Sequence, residues 1–130
     1  AMDEAMIPRH WSELRLGLAT LEEEQGFEVE TVARTNLQLL ASSLRPGPHQ
    51  ALLKPKLDEA LSILAKSLAA MESAGQIRLR MSPLRTAMCI TALSDGLTWV
   101  GLASDRPRDD ISADIAAGLD CLVEAIAPTG

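Results

Sequence analysis

The sequence SPLRTAMCITALSDGLTWVGLAS, residues 82–104, decides the fold. Ser82 is a preferred N-cap residue and Pro83 fits the first helical turn, so a long helix begins here. One face of this helix carries Thr86, Ile90, Leu93, Leu97 and Val100, and the other carries Leu84, Met88, Ala92 and Trp99. A helix that is apolar on two faces must be covered on both sides. The stretch therefore predicts a long helix that one neighbour alone cannot cover.

The composition of the rest of the chain, and the positions of its Gly and Pro residues, are typical of a helical protein. Hydrophobic residues make up 47% of it, yet it has one Phe and no Tyr, whereas strands favour aromatic and β-branched residues. Apolar spacing predicts a first helix from about Ile7 to Gly26 and a second from about Glu28 to Arg45. Near Pro55 we expect either a short helix and a new start or one kinked helix, ending at Gly75. We predict a single all-α domain over residues 1–130, a bundle of five to six helices.

The segment from Gln76 to Met81 alternates apolar and polar residues, which is compatible with a lone strand or an extended connector. Because no partner strand is evident, we favour the connector and expect no sheet. A final helix is predicted from about Asp109 to Ala127. Its apolar stripe consists of Ile111, Ile115, Leu119, Leu122 and Ile126.

Charge and cysteine content restrict the classes of partner. The net charge is −6, and Lys and Arg facing phosphates supply most of the affinity for nucleic acid, so DNA is not an expected direct partner. Cys89 and Cys121 lie in apolar helical patterns and are interpreted as reduced core thiols. No apolar run reaches the roughly 20 residues of a membrane span, and no secretory signal is visible. We expect a cytoplasmic protein without membrane contact.

Sequence patterns for catalysis or metal binding are not found. His10 and His49 are far apart and belong to no metal-binding motif. A nucleophilic cysteine needs a nearby base, and no phosphate loop or dinucleotide fingerprint occurs. We therefore expect no catalytic residues, no metal and no cofactor, and we do not expect an enzyme.

About the last 75 residues resemble the C-terminal domain of the tetracycline-repressor (TetR) family of transcriptional regulators. Gly75-Gln76-Ile77-Arg78 is similar to a frequent A-G-x-I-R ending in the family. The long helix that Ser82-Pro83 opens contains Asp95-Gly96-Leu97, and family members often carry D-G-L there. A polar turn and a terminal apolar helix follow in the same order.

The resemblance implies a domain that binds a small effector between its helices and pairs its last two long helices with those of a second subunit. In the family, DNA is bound by a separate N-terminal helix-turn-helix domain. Here the first twenty-five residues are acidic and amphipathic, so we expect that DNA-binding half to be absent from this chain. The alternative is a stand-alone helical interaction or scaffold module with a filled core and no small-molecule site.

Two groups of residues follow from the leading hypothesis. For a small, largely apolar effector, the predicted lining is apolar with one amide as anchor. These residues are Trp11, Asn36, Leu40, Met71 and Met88. For the homodimer interface, the predicted residues are Leu93, Gly96, Leu97, Val100, Ile115, Gly118, Leu119, Leu122 and Ile126. No later segment is expected to bury the terminal stripe, and Gly96 and Gly118 would allow close helix crossing.

Overall fold

Five helices make up most of the part described by the computed structural model, which covers residues 10–19 and 29–126 without the side chains of residues 29–33 and 36. The helices are α1 (Trp11–Ala19), α2 (Val29–Ser42), α3 (Pro48–Ser73), α4 (Pro83–Ala103) and α5 (Arg108–Leu122). Two short strands are β1 (Ile77–Leu79) and β2 (Val123–Ala125). The predicted all-α bundle is confirmed, with a small sheet added. The expected limits of the first helix, Ile7 and Gly26, lie outside the described residues.

Helix α4 is the centre of the bundle and contacts α2, α3 and α5. The hydroxyl of Ser82 accepts a hydrogen bond from the backbone N–H of Arg85 (3.2 Å), and Pro83 occupies the first turn. This cap satisfies an amide that has no partner within the helix. The sequence prediction of where α4 begins is therefore confirmed.

Helices α1 and α4 both pack on α5, and the fold buries the inner stripe of α5, which we define as Ile111, Ile115 and Leu119. All three side chains are buried, and they belong to one core cluster with Trp11 and Leu14 of α1. At the edge of the contact between α1 and α5, an ion pair joins these two helices. The Arg15 guanidinium donates to both carboxylate oxygens of Asp120, at 2.7 and 2.8 Å.

Helices α4 and α5 run antiparallel and approach closely at two glycines. A Cβ atom added to Gly101 would lie 2.4 Å from Cγ1 of Ile111, and one added to Gly118 would lie 2.6 Å from Cδ1 of Leu93. The contact at Gly118 joins helices of one chain, although the sequence assigned it to a dimer crossing. An added Cβ at Gly96 would meet no atom within 4 Å.

Helix α3 continues through Pro55, so the alternative of one long helix is correct. Proline removes one helical hydrogen bond and leaves the carbonyl four residues back, that of Ala51, without its usual donor. Both residues are exposed, and water can satisfy that carbonyl. Gly75, at a φ of 75°, ends the helix region, and the N–H of Gln76 donates to the Met71 carbonyl (3.0 Å).

The expectation of an extended connector and no sheet was wrong. β1 pairs with β2 in an antiparallel two-stranded sheet, in which Leu79 lies opposite Val123 and Ile77 opposite Ala125. The partner strand exists because α5 ends at Leu122 and the backbone of Val123 is extended, whereas the sequence predicted helix to Ala127. Side chains alternate along a strand, so Ile77 and Val123 are buried in the core while neighbouring residues are exposed.

Candidate functional site

Two residues of the predicted effector pocket are part of the packed core. The Trp11 side chain is 5% exposed and that of Met71 is 1% exposed, and both belong to the cluster that holds α1 on α5. The backbone N–H of Trp11 donates to Oε1 of Gln76 (3.0 Å), which fixes the start of α1 against β1. The indole Nε1 of Trp11 is buried and has no hydrogen-bond partner among residues 10–19 and 29–126. These two residues therefore pack within the domain.

The other three predicted pocket residues are not gathered around Trp11. Leu40 is half-buried on α2, and the side chain of Asn36 lies outside the described residues. Met88 is 54% exposed and faces outward from α4. It lines an open groove between α3 and the first turns of α4. The structure thus gives Met88 a surface position instead of one inside the bundle.

The α3–α4 groove has a volume of about 750 Å³. Its lining comprises Asp58, Leu61, Ser62, Ala65, Lys66 and Ala69 from α3, with Ser82, Pro83, Leu84 and Met88 from the start of α4. The α3 residues recur at intervals of three and four and so lie on one face of that helix. The groove is apolar along its length and carries a few polar groups.

The two charged residues that line this groove differ in whether an ion pair offsets their charge. The carboxylate of Asp58 accepts a hydrogen bond from Nζ of Lys54 at 2.5 Å, one helical turn earlier. Lys66 has no ion pair within the part of the chain that the structure describes. The groove therefore presents an available cation beside an acid whose charge is already offset.

A second groove lies between α4 and α5 and contains four of the predicted interface residues. Leu93, Gly96, Leu97 and Gly118 line it, together with Ala92, Asp114 and Ala117. The carboxylate of Asp114 is paired with Nη2 of Arg106 at 2.7 Å, so its charge is offset. Val100 is nearby on α4 and 44% exposed. This part of the predicted interface is open to solvent in the single chain.

The remaining interface residues are placed differently. Ile115 and Leu119 are 1% and 0% exposed because other segments of the same chain, α1 and α4 among them, pack on α5, so the argument that nothing buries the terminal stripe was wrong. Leu122 packs partly buried against the same core. Ile126 is exposed but lies beyond β2 instead of on α5. A second copy could contact Ile115 or Leu119 only if the helices packed on α5 moved away.

The exposed apolar surface of α4 extends past the second groove. We define the outward face of α4 as Leu84, Met88, Ala92, Trp99 and Val100. Trp99 is 61% exposed, and the other four are also exposed. The sequence identified most of these residues as an apolar face but assumed that neighbouring helices cover it. The i, i+4 series Leu84, Met88, Ala92 was the signal for this surface.

Asp95 is an acidic residue beside the outward face. Burial raises the pKa of its carboxyl, because desolvation disfavours the charged form. Within the described residues no ion pair offsets this carboxylate. A partner that covered α4 would have to supply a cation or leave Asp95 protonated.

By length and composition alone, α4 is a helix that could cross a membrane. Only 22% of its most apolar 18-residue window is buried inside the chain. A core helix of a soluble domain meets the same criterion when its neighbours cover it. What distinguishes α4 is apolar character combined with an uncovered face.

Among residues 10–19 and 29–126, no group of three or more His, Cys, Asp or Glu side chains is arranged to hold a metal ion. Cys89 and Cys121 are free thiols, half-buried and exposed respectively, so Cys121 is not the core thiol that the sequence indicated. Comparison with protein families, curated proteins and solved structures finds no match to this chain.

Proposed function

We propose that this chain is the dimerisation and effector-binding domain of a TetR-type transcriptional regulator. The observation that carries the proposal is the outward face of α4. It is long, apolar and uncovered within the described chain, and it adjoins the open α4–α5 groove. Apolar surface of this extent marks a site of association.

Three features favour a second copy of the same chain as the covering partner. Two-fold homodimers are the commonest oligomers, and they use the same patch on both subunits. The groove residue Gly96 has open space above it, so another helix can approach the α4 backbone. The charge of Asp114, on the groove wall, is already offset by Arg106. The pairing would therefore bury mainly apolar side chains, and the Asp95 carboxyl beside them would be protonated or paired with a cation of the second copy.

The energetics of this pairing are adequate. Covering a Leu, Val or Met side chain completely gains about 1.5–3 kcal/mol, and the outward face offers several half-exposed ones on each subunit. The loss of translational and rotational freedom costs about 4–15 kcal/mol. The gain from two copies is comparable with the lower part of that range, so association through this face is energetically feasible.

The test is the molar mass in solution by light scattering, for the wild type and for Val100→Glu. We expect a dimer for the wild type and a monomer for the variant, because the interface would bury an unpaired carboxylate. Ala60→Glu is the matched control, since Ala60 is exposed on α3 outside both grooves. A monomer mass for the wild type would overturn the proposal, as would an unchanged dimer for Val100→Glu.

A second candidate function, a helical interaction module without an effector, is favoured by the packing of Trp11 and Met71 in the core. Such a module uses the outward face of α4 for association and needs no small molecule. This function would be supported if the chain forms a dimer and if small apolar compounds do not change the stability of that dimer.

A further inference from the structure

The α3–α4 groove joins two features, an apolar floor and a cation that forms no ion pair with a described residue. Leu61, Ala65 and Ala69 form the α3 side of the floor, and Leu84 and Met88 form the α4 side. Leu84 and Met88 are each about half exposed, so water covers apolar surface there. A ligand that replaced this water would be held by apolar contact along the groove.

The charge of the groove selects the kind of ligand. Lys66 lies on the same helical face as Leu61, Ala65 and Ala69, and no described acidic side chain is paired with it. The acid in the lining, Asp58, is paired with Lys54. In a chain whose net charge is −6, this cation beside apolar surface favours an anion with an apolar tail.

The geometry points to the α3–α4 groove as a binding site for a free, medium-chain anionic amphiphile such as an alkyl carboxylate. The alkyl chain lies on the floor between α3 and α4, and the carboxylate faces the ammonium group of Lys66. This inference rests on the proposed function, because it names the site and the chemical class of the effector. It assigns Leu84 and Met88 to the ligand, so that the second copy covers Ala92, Trp99 and Val100 of the outward face. The groove volume lies within the range of small-molecule sites, about 300–1,000 Å³.

The experiment is calorimetric titration of the full chain with decanoate below its micellar concentration. Decyltrimethylammonium is the matched ligand, because it has the same tail and the opposite charge. Lys66→Glu is the test variant, and Lys56→Glu is its control, since Lys56 is exposed on α3 outside the groove lining. We expect decanoate to bind more tightly than decyltrimethylammonium, and Lys66→Glu to weaken decanoate about tenfold by replacing attraction with repulsion.

Leu84→Ser tests the apolar floor separately. It should weaken decanoate and decyltrimethylammonium alike, because it removes contact with the tail. Added salt should weaken decanoate, since the pair with Lys66 is exposed and screened. The inference is overturned if neither ligand binds, if both bind equally, or if Lys56→Glu has the same effect as Lys66→Glu. Binding of the chain to anionic lipid vesicles without binding of decanoate also overturns it.

The molar mass of the same samples separates this inference from the proposed function. A dimer that does not bind decanoate leaves the dimerisation in place and removes the ligand class. A monomer that binds decanoate with the expected dependence on Lys66 leaves the site in place and removes the dimer.

Discussion

The inner stripe of α5 and the outward face of α4 are both apolar in sequence, yet the fold treats them in opposite ways. Ile115 and Leu119 are almost fully buried under other helices of the chain, whereas Trp99 and Val100 on the adjoining helix are exposed. The difference is not one of hydrophobicity but of whether another segment of the chain reaches the surface. Periodicity identifies an apolar face, and the topology decides which faces remain for a partner.

The largest expected difference between the two surfaces is in the free energy of unfolding when one side chain on each is shortened. Leu119→Ala should lower the free energy of unfolding by about 2–5 kcal/mol, because it leaves a cavity in the core. Val100→Ala should change it by less than about 0.5 kcal/mol at protein concentrations where the chain is monomeric. Urea denaturation followed by circular dichroism measures both.

Repeating the Val100→Ala measurement at high protein concentration sharpens the contrast. If a second copy covers the outward face, dimerisation stabilises the wild type more than the variant, and the difference grows with concentration. If Leu119→Ala and Val100→Ala lowered the free energy of unfolding equally in the dilute monomer, the inner stripe and the outward face would not differ in burial.

A pair of glycines on α4 tests the same contrast with an added methyl group. Gly101→Ala places Cβ against the buried side chain of Ile111, and overpacking costs about 1–3 kcal/mol. The better helix propensity of Ala returns about 1 kcal/mol, so we expect a net loss. Gly96→Ala has open space and should gain up to about 1 kcal/mol in the dilute chain. Thermal melts of both variants should shift in opposite directions.

The smallest expected effect concerns the ion pair that joins α1 to the covered helix. The hydrogen bonds from Arg15 lower the pKa of the Asp120 carboxyl. The pair therefore stabilises the fold fully at pH values above 3.8, the ordinary pKa of this carboxyl. That contribution is lost as pH falls through the lower, folded value. Because both partners are exposed, Asp120→Asn should cost only about 0.2–1 kcal/mol at pH 7.

The pH dependence of unfolding checks this assignment. The stability difference between the wild type and Asp120→Asn should disappear in acid below the folded pKa. Glu59→Gln is the control, since Glu59 is an exposed acid without an ion pair among the described residues. A constant difference at all pH values would show that the pair does not act through its charge.

Local chemistry explains which parts of the fold could be predicted. The cap at Ser82 and the stop at Gly75 depend on a few neighbouring residues, and both are as expected. The sheet was missed because β1 needs a partner that is remote in sequence, and the stripe from Ile111 to Ile126 predicted that the helix continues through Val123. Likewise, no local signal indicates that α1 packs on α5.

The candidate sites follow the same division. The sequence assigned Leu93, Gly96 and Leu97 to a dimer interface because α4 has more apolar faces than one neighbour can cover, and all three line the α4–α5 groove. It placed Met88 with Trp11 because both are large and apolar, although one is exposed and the other is core. Lys66 carries no motif, and only its position beside the apolar floor makes it notable.

The pairing of β1 with β2 closes the chain between residues 79 and 123 into a loop that contains the whole α4–α5 hairpin. Closing so long a loop has a high entropic cost for a flexible chain, but the antiparallel helices already bring its ends together. Gln76 connects this closure to α1, since it accepts from Trp11 and its carbonyl accepts from Ile126. A shift of α5 along α4 would therefore move the strand pair, and with it Gln76, to which the first residue of α1 is hydrogen-bonded.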